Sequence, residues 1–392
     1  MRITIKDKFT NKYKNRYPLI MKEAIFGKNN FKEGEVVDLF DSRNRFIARG
    51  YIGSQNKGYG WVLTNNKNEN IDLDFFKKKI DKAIKCRNEL YKDETINTFR
   101  IFNGEGDGVG GLTIDFYDGY YVINFYSEGV YRLRDYIIES LKDKSDLKAI
   151  YEKKRFDKGG KYIDDDEFVY GERGEFPVIV KENDINYAVY LNKGAMVGIF
   201  TDQKEVRKII RDKYAKGKTV LNTFSYTGAF SVAAVLGGAT KTTSVDLAKR
   251  SLELTKEQFD VNNIDWEKEK IQVMDVFDYF RYAERKGLKF DLTILDPPSF
   301  ATSKKRRFSA AKDYKNLLVD AIKITENKGV IIASTNCASF RMNKFKDFVE
   351  KAFKETNKKY KIVEEFTLPY DYKTIKEFEE GNYLKVLFIQ LV

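Results

Sequence analysis

The feature that most constrains this chain is the run Phe290-Asp291-Leu292-Thr293-Ile294-Leu295-Asp296-Pro297-Pro298-Ser299-Phe300, an apolar strand that stops on an acid and two prolines. Each proline lacks an N–H and fixes φ near −65°, so the strand cannot continue and its end is stiff. Asp296 then stands at a strand's carboxyl end, the place where open α/β sheets bind ligands. Taken alone, the run also suits a buried strand followed by an ordinary Pro-Pro turn, and the rest of the chain has to decide.

A chain of 392 residues is long for one core and allows two or three domains. Its 42% hydrophobic and 33% charged residues are those of a globular protein. No apolar run reaches the roughly 18 residues of a membrane span, and the start Met1-Arg2-Ile3-Thr4-Ile5-Lys6-Asp7 lacks a signal peptide's apolar core, so a cytoplasmic location is expected. The net charge of +12 suits a polyanion such as RNA, although lysine is abundant throughout and a general compositional bias would give the same figure. There is no histidine and there are two cysteines, Cys86 and Cys337. Zinc sites built on Cys/His clusters, Ser-His-Asp triads and imidazole bases are thereby excluded, and no metal is expected. Acid–base work falls to Asp, Glu, Lys, Tyr or Cys.

Three domains are expected. Residues 1–70 read as short strands, with a hairpin at Glu35–Phe40 and Arg45–Ile52 and another strand at Gly60–Thr64, making a small β-barrel. Residues 71–172 form a middle α+β domain. Its helix starts at Leu73-Asp74 with Asp74 as cap and carries Phe76, Ile80, Ala83 and Leu90 on one face, with Cys86 as a small buried hydrophobe. Asn103–Gly111 lacks the Gly-Lys-Ser/Thr of a phosphate loop and precedes a strand, so it is read as a tight turn. A helix over Tyr131–Leu141 and strands at Tyr120–Tyr126 and Lys148–Glu152 follow, and charge-rich Lys153–Glu172 ends the domain. From residue 173 to 392, after a hairpin at Val178–Lys181 and Tyr187–Leu191, strands alternate with helices, which implies a largely parallel sheet covered on both faces.

Four successive strand ends in this last region offer polar groups along one edge. Asn222-Thr223-Phe224-Ser225-Tyr226-Thr227-Gly228 is a loop of mostly small residues between a strand and a helix. Asp246 ends the next strand about 18 residues after Gly228, the spacing of an acid that grips ribose hydroxyls. Asp275 follows the third strand, where it can accept from an adenine amino group, and Asp296 and Pro297 follow the fourth. Together they describe a pocket for an adenosine-bearing cofactor. S-adenosylmethionine fits better than a dinucleotide, because the pyrophosphate-binding glycines are missing. Cys337, just past the fifth strand, is the candidate nucleophile: a thiolate adding to carbon 6 of a pyrimidine makes carbon 5 reactive, while Asp296 steadies charge on the ring. Lys304, Lys305, Arg306 and Arg307 are candidate phosphate contacts, although a solvated charge run has the same composition.

On these motifs, with Gly104-Glu105-Gly106-Asp107-Gly108, Thr201-Asp202-Gln203-Lys204 and Tyr383-Leu384-Lys385, the chain resembles the bacterial and archaeal large-subunit ribosomal RNA cytosine-5 methyltransferases over nearly its whole length. The resemblance implies a PUA-like RNA-binding barrel, a middle domain and a C-terminal Rossmann-like class I methyltransferase domain. It further implies that S-adenosylmethionine is held by Asp202, Gln203, Asn222, Phe224, Ser225, Tyr226, Gly228, Asp246, Asp275, Asp296 and Pro297. Cys337 and Asp296 would be catalytic and large-subunit rRNA the partner of a monomer or homodimer. Two departures stand out: Cys337 lies in Asn-Cys-Ala where Ser-Cys-Ser is usual, and Ser299 stands where many RNA cytosine-5 methyltransferases carry a second, product-releasing cysteine. Gly58-Tyr59-Gly60-Trp61 also replaces an arginine-bearing barrel strand. The competing expectations are an exocyclic-amine methyltransferase, with Phe300 stacking on the base, and an rRNA-binding assembly factor that no longer turns over.

Overall fold

The computed structural model describes residues 1–27, 30–55, 58–156, 167–194, 196–302 and 306–392. Its chain groups into two compact units, where the sequence reading drew three domains. The first unit comprises Met1–Val180, Val189–Val197 and Tyr370–Gly381, and the second Lys181–Ala188, Gly198–Pro369 and Asn382–Val392.

The first unit holds two five-stranded sheets. One runs Arg2–Thr4, Val36–Phe40, Phe46–Ile52, Gly58–Thr64 and Leu19–Met21 in spatial order, and the other Phe168–Gly171, Ala149–Lys154, Tyr120–Phe125, Leu112–Tyr117 and Thr98–Asn103. They share one apolar cluster that extends from Ile3 to Ile150. A small barrel cannot bury enough surface alone, and this common core is why the expected boundary at residue 70 separates two sheets but not two compact bodies.

Local chemistry corrects several helix boundaries. Asp72, not Asp74, caps the helix Leu73–Cys86 by accepting from the Phe75 N–H at 3.1 Å. The helix stops before Leu90 because Arg87 turns inward, and Asn88–Lys92 forms a separate turn. Cys86 is exposed on the outer face and not a core residue. The single helix expected at Tyr131–Leu141 is two short ones, Glu128–Tyr131 and Arg134–Glu139. Gly104–Gly106 is a tight 3₁₀ turn, as expected.

Arg87, 1% exposed, ties this unit together. It donates to both carboxylate oxygens of Asp107 at 2.9 and 2.7 Å and to the Asp371 carbonyl at 2.6 Å. Residues 370–381 are thus drawn into the first unit, away from the C-terminal domain to which sequence order assigned them.

The second unit is built on one seven-stranded sheet. Its strands are β1 (Thr219–Thr223), β2 (Lys241–Asp246), β3 (Lys270–Val273), β4 (Phe290–Leu295), β5 (Thr325–Thr335), β6 (Tyr360–Phe366) and β7 (Lys385–Leu391), in the order 3-2-1-4-5-7-6. The first five are parallel, and β7 enters antiparallel between β5 and β6. Helices α1 (Ala229–Leu236), α2 (Ser251–Asp260), α3 (Val276–Arg285), α4 (Ala310–Ile324) and α5 (Met342–Glu355) connect the strands. Their apolar faces and the strands form separate clusters, one around Tyr314, Leu317 and Phe345 and one around Val206, Ile294 and Phe388, as a sheet covered on both faces requires. No helix among the described residues is long and apolar enough to cross a membrane.

Removing one partner of a buried ion pair strands the other charge. Arg87→Ala should therefore destabilise the protein by about 3–5 kcal/mol in denaturant unfolding; a loss below about 1 kcal/mol, the size of an exposed pair's contribution, would show that the pair does not hold this unit.

Candidate active site

Parallel pairing of β1 with β2 and β4, and of β4 with β5, brings four carboxyl ends to one edge of the sheet. The loop after β1 is the most strained part of that edge. Phe224, Tyr226 and Gly228 have φ of 54°, 51° and 77°, so three alternate residues are left-handed and two of them are aromatic. Four hydrogen bonds hold this shape: Ser225 N–H to the Val245 carbonyl (3.1 Å), Tyr226 N–H to Asp246 (2.9 Å), Thr227 hydroxyl to the Gly198 carbonyl (2.7 Å) and Gly228 N–H to the Ser225 carbonyl (2.7 Å). At Gly228 a side chain would meet Thr255 at 2.6 Å, so only glycine lets α1 start there.

The sequence-predicted residues fall into distinct tasks. Asp246 accepts from the Tyr226 and Ala248 N–H groups and so braces the loop at the end of β2. Asp275 caps α3, one of its oxygens accepting from the Phe277 and Asp278 N–H groups. Asn222 is fully buried and donates to Ser231 at 3.0 Å, which in turn bonds Ser244, pinning β1 against α1; its side-chain carbonyl oxygen has no hydrogen-bond partner among the described residues. Asp202 accepts from the Tyr383 hydroxyl at 2.9 Å.

Gln203 joins two strand ends. Its amide donates to Asp296 at 3.1 Å and to the Ser334 hydroxyl at 2.7 Å, while its own buried side-chain carbonyl oxygen has no hydrogen-bond partner among the described residues. The helix Lys204–Ile209 behind it is anchored by Arg207, which donates twice to buried Glu182 at 2.7 and 2.8 Å and once to the Phe200 carbonyl. Burial pushes the Asp296 carboxyl up to about 6; the Ser334 contact lowers it, the charge of Asp202 raises it and Arg207 lowers it.

Asp296 and Cys337 are brought to the same edge. Leu295 pairs with Ala333 across β4 and β5, and beyond the paired region the Ser299 hydroxyl donates to Asn336 at 2.7 Å, linking the Asp-Pro-Pro loop to the residue before the cysteine. Cys337 is 3% exposed; its N–H bonds the Thr335 hydroxyl and its sulfur lies 3.1 Å from the Ser339 hydroxyl. Tyr314 supports both strands, with its hydroxyl on the Ser334 carbonyl at 2.6 Å and the Leu295 carbonyl at 3.3 Å.

Sequence reasoning assigned no role to Lys385, although it quoted Tyr383-Leu384-Lys385. Lys385 is buried at the start of β7, opposite Thr335, and donates to the Tyr383 carbonyl at 2.6 Å. Burial lowers its proton affinity, and the charge of an ionised Cys337 raises it. Of the basic stretch, Lys304 and Lys305 lie outside the described residues; Arg307 is exposed, and Arg306 lies over the Phe277 ring at 4.3 Å.

These features suit an adenosine-bearing methyl donor: a narrow helix-leading loop, acids closing successive strands, and buried amide oxygens on Asn222 and Gln203 that still need donors. Residues 107–387 match the S-adenosylmethionine-dependent methyltransferase family, and residues 3–65 match the PUA-like domain family. The chain is therefore an S-adenosylmethionine-dependent methyltransferase carrying a PUA-like domain. It is 62% identical over 391 residues to YwbD of Bacillus subtilis (strain 168), provisionally named a ribosomal RNA large subunit methyltransferase, with 99% of each chain covered. It is 31% identical over 381 residues to the ribosomal RNA large subunit methyltransferase I of Aeromonas hydrophila, covering 96% of this chain and 95% of that one. SMU.776, provisionally named a methyltransferase and crystallised with SAH, superposes with a TM-score of 0.92 at 37% identity, with both chains covered in full. The chain belongs to the methyltransferase family that these relatives share.

A carboxyl raised from 3.8 to about 6 stabilises the fold below its unfolded value, and that stability is lost as pH rises through about 6. In the absence of cofactor, the wild type should therefore lose about 1 kcal/mol relative to Asp296→Asn between pH 5 and 7.5 in urea unfolding. Parallel pH profiles for the two proteins would refute the shift.

Proposed function

We propose that this chain methylates carbon 5 of a cytosine in large-subunit ribosomal RNA, with Cys337 as nucleophile and Asp296 as the acid that holds the base. The relatives' names supply the RNA class. The observation that carries the base is the placing of a buried thiol beside the Asp-Pro-Pro loop, joined to it by the Ser299–Asn336 bond and accompanied by the buried ammonium of Lys385.

S-adenosylmethionine supplies a methyl group on a positively charged sulfur, and the left-handed loop with Asp202, Gln203, Asp246, Asp275 and Pro297 is the set of residues that would hold it. The chain's own chemistry follows from charge. Lys385 offsets the negative charge of a Cys337 thiolate. That thiolate forms a bond to carbon 6 of the ring, and the ring's electrons move to carbon 5, which takes the methyl group. Asp296, with its proton held to about pH 6, donates a hydrogen bond to the ring and stabilises the charge displaced onto it. The carbon 5 proton then leaves to solvent, and the carbon–sulfur bond breaks with its electron pair returning to Cys337. Ser299 is bonded to Asn336 and is no thiol, so removal of the carbon 5 proton falls to water.

A second reading is favoured by Phe300, which is 73% exposed beside the Asp-Pro-Pro turn. An aromatic ring there can stack on a base whose exocyclic amine is methylated, and that chemistry needs no cysteine. Transfer of labelled methyl to unmodified large-subunit rRNA, followed by nucleoside analysis, separates the readings. The wild type should form 5-methylcytosine; Cys337→Ala should lose at least about 10³-fold in rate yet bind cofactor normally. RNA carrying 5-fluorocytosine, which cannot release a proton from carbon 5, should trap a covalent complex with the wild type only. Retained activity in Cys337→Ala, or an N-methylated product, would replace this reading with the exocyclic one. Cofactor binding without transfer to any rRNA would leave a binding factor.

A further inference from the structure

The carboxyl of Asp296 follows a strand end, and its own backbone leaves open the direction in which the acid group turns. The torsion that rotates a carboxyl plane is broad, so partners have to hold it within the roughly 0.5 Å and 20° that a reacting group tolerates. Gln203 is such a partner. Its side-chain Nε2 lies 3.1 Å from Asp296 Oδ1 and 2.7 Å from the Ser334 hydroxyl oxygen, and the residue is 4% exposed, so water does not compete for either contact.

Gln203 is itself held from several directions. It closes the short turn Thr201–Gln203 ahead of the helix Lys204–Ile209, and its N–H donates to the Phe200 carbonyl at 3.3 Å. Arg207 donates to that same carbonyl at 2.8 Å and is fixed in turn by Glu182. The preceding residue, Asp202, accepts from the Tyr383 hydroxyl, and the Gly198 carbonyl accepts from the Thr227 hydroxyl at 2.7 Å. Ser334 is fixed as well: its carbonyl accepts from Tyr314 at 2.6 Å, and it pairs with Val386 across β5 and β7. A buried amide is thus carried by an anchored backbone at one end and joined to Asp296 and Ser334 at the other.

An amide N–H donates and cannot accept. Its bond to Oδ1 therefore favours the ionised carboxyl, and it leaves the other oxygen, Oδ2, to carry the proton when the group is neutral. The other groups that act on Asp296 are Asp202, whose charge favours its proton, Arg207, whose charge disfavours it, and the Ser334 hydroxyl, which also disfavours it; the Tyr314 hydroxyl nearby is kept neutral by burial. The Gln203 side-chain oxygen has no hydrogen-bond partner among the described residues, a cost that an apolar residue serving structure alone would avoid. We propose that Gln203 is a positioning residue for methyl transfer: its amide, joined to Ser334 and to Asp296 Oδ1, fixes the plane of the Asp296 carboxyl and reserves Oδ2 for the base. This task is separate from the cofactor contact given to Gln203 above, and it rests on the reading of Asp296 as the acid that holds the base.

The test begins with the full-length protein free of cofactor and RNA. Urea unfolding from about pH 5 to about pH 9 is compared for the wild type, for Gln203→Met, which keeps the length and removes the amide, and for Ser334→Ala, which removes one oxygen, each with and without Asp296→Asn. The difference that Asp296→Asn makes reports the pH at which Asp296 loses its proton in the folded protein, about 6 in the wild type. A donor to the carboxylate favours the ionised form, so its loss moves that point upward. Gln203→Met should raise it by about 1–2 pH units, the worth of a hydrogen bond to a charged group. Ser334→Ala should raise it as well, and the two shifts should fall short of adding in the double variant, because one amide carries both contacts. A glutamine kept for structure would lower stability equally at every pH and leave the point unmoved. With rRNA and saturating S-adenosylmethionine, Gln203→Met should lose about 10²-fold in kcat, and the alkaline limb of its kcat profile should move up with the Asp296 titration. KM for the RNA should stay within about threefold of the wild type. A titration unmoved in both variants overturns the proposal and leaves the proposed activity standing. A moved titration with unchanged kcat, or a loss confined to cofactor affinity, overturns it too. If the wild type yields only an N-methylated product, the cytosine-5 reading falls, while a moved titration with lowered kcat still supports the placing of Asp296 by Gln203.

Discussion

Everything at the candidate active site hangs from the parallel register of β1, β4 and β5. Leu221 pairs with Thr293 and Thr293 with Ile331, so the three strands reach their carboxyl ends together. Because side chains alternate between faces, a slip of one residue would turn Asp296 or Ser334 into the wrong layer. The register is fixed from several directions. Buried Thr223 donates to the Ile294 carbonyl at 2.7 Å, Tyr314 bonds the carbonyls of Leu295 and Ser334, and Gln203 bridges Asp296 to Ser334. The Pro-Pro pair then ends β4 where the neighbouring strands need it to end.

Sequence periodicity found this edge because its determinants are local. An apolar strand, a proline stop and the acids that close β2, β3 and β4 can be read within ten residues, and the hairpin turn at Asn183-Asp184 appears with φ of 50° and 63°, as its residue types suggest. What periodicity missed depends on groups distant along the chain. Gln203 reaches Asp296 and Ser334 across 93 and 131 residues, and no local pattern announces such a bridge. The antiparallel β7 sits between β5 and β6 by pairing alone, so the alternation of strands and helices, extended to the end of the chain, did not reveal its direction. The same applies to Arg87, whose long-range pairing with Asp107 and Asp371 ends a helix that the apolar spacing would have carried to Leu90.

The absence of histidine gives the site its chemical logic. At neutral pH an ordinary aspartate is fully ionised and an ordinary lysine fully protonated, so neither exchanges a proton readily. Burial acts on the two in opposite senses, because it penalises the charged form of each. It raises Asp296 to about 6 and lowers Lys385, moving both toward neutrality from opposite sides. One physical effect thus brings a carboxyl and an amine at one sheet edge closer to exchanging protons near neutral pH, a property that an imidazole often supplies elsewhere. The cost is two desolvated ionisable groups at the end of the sheet. The Gln203 bridge, the Arg207–Glu182 pair and the Tyr314 hydroxyl are the polar contacts that offset it, which is why the supporting residues around this site are themselves buried and hydrogen-bonded.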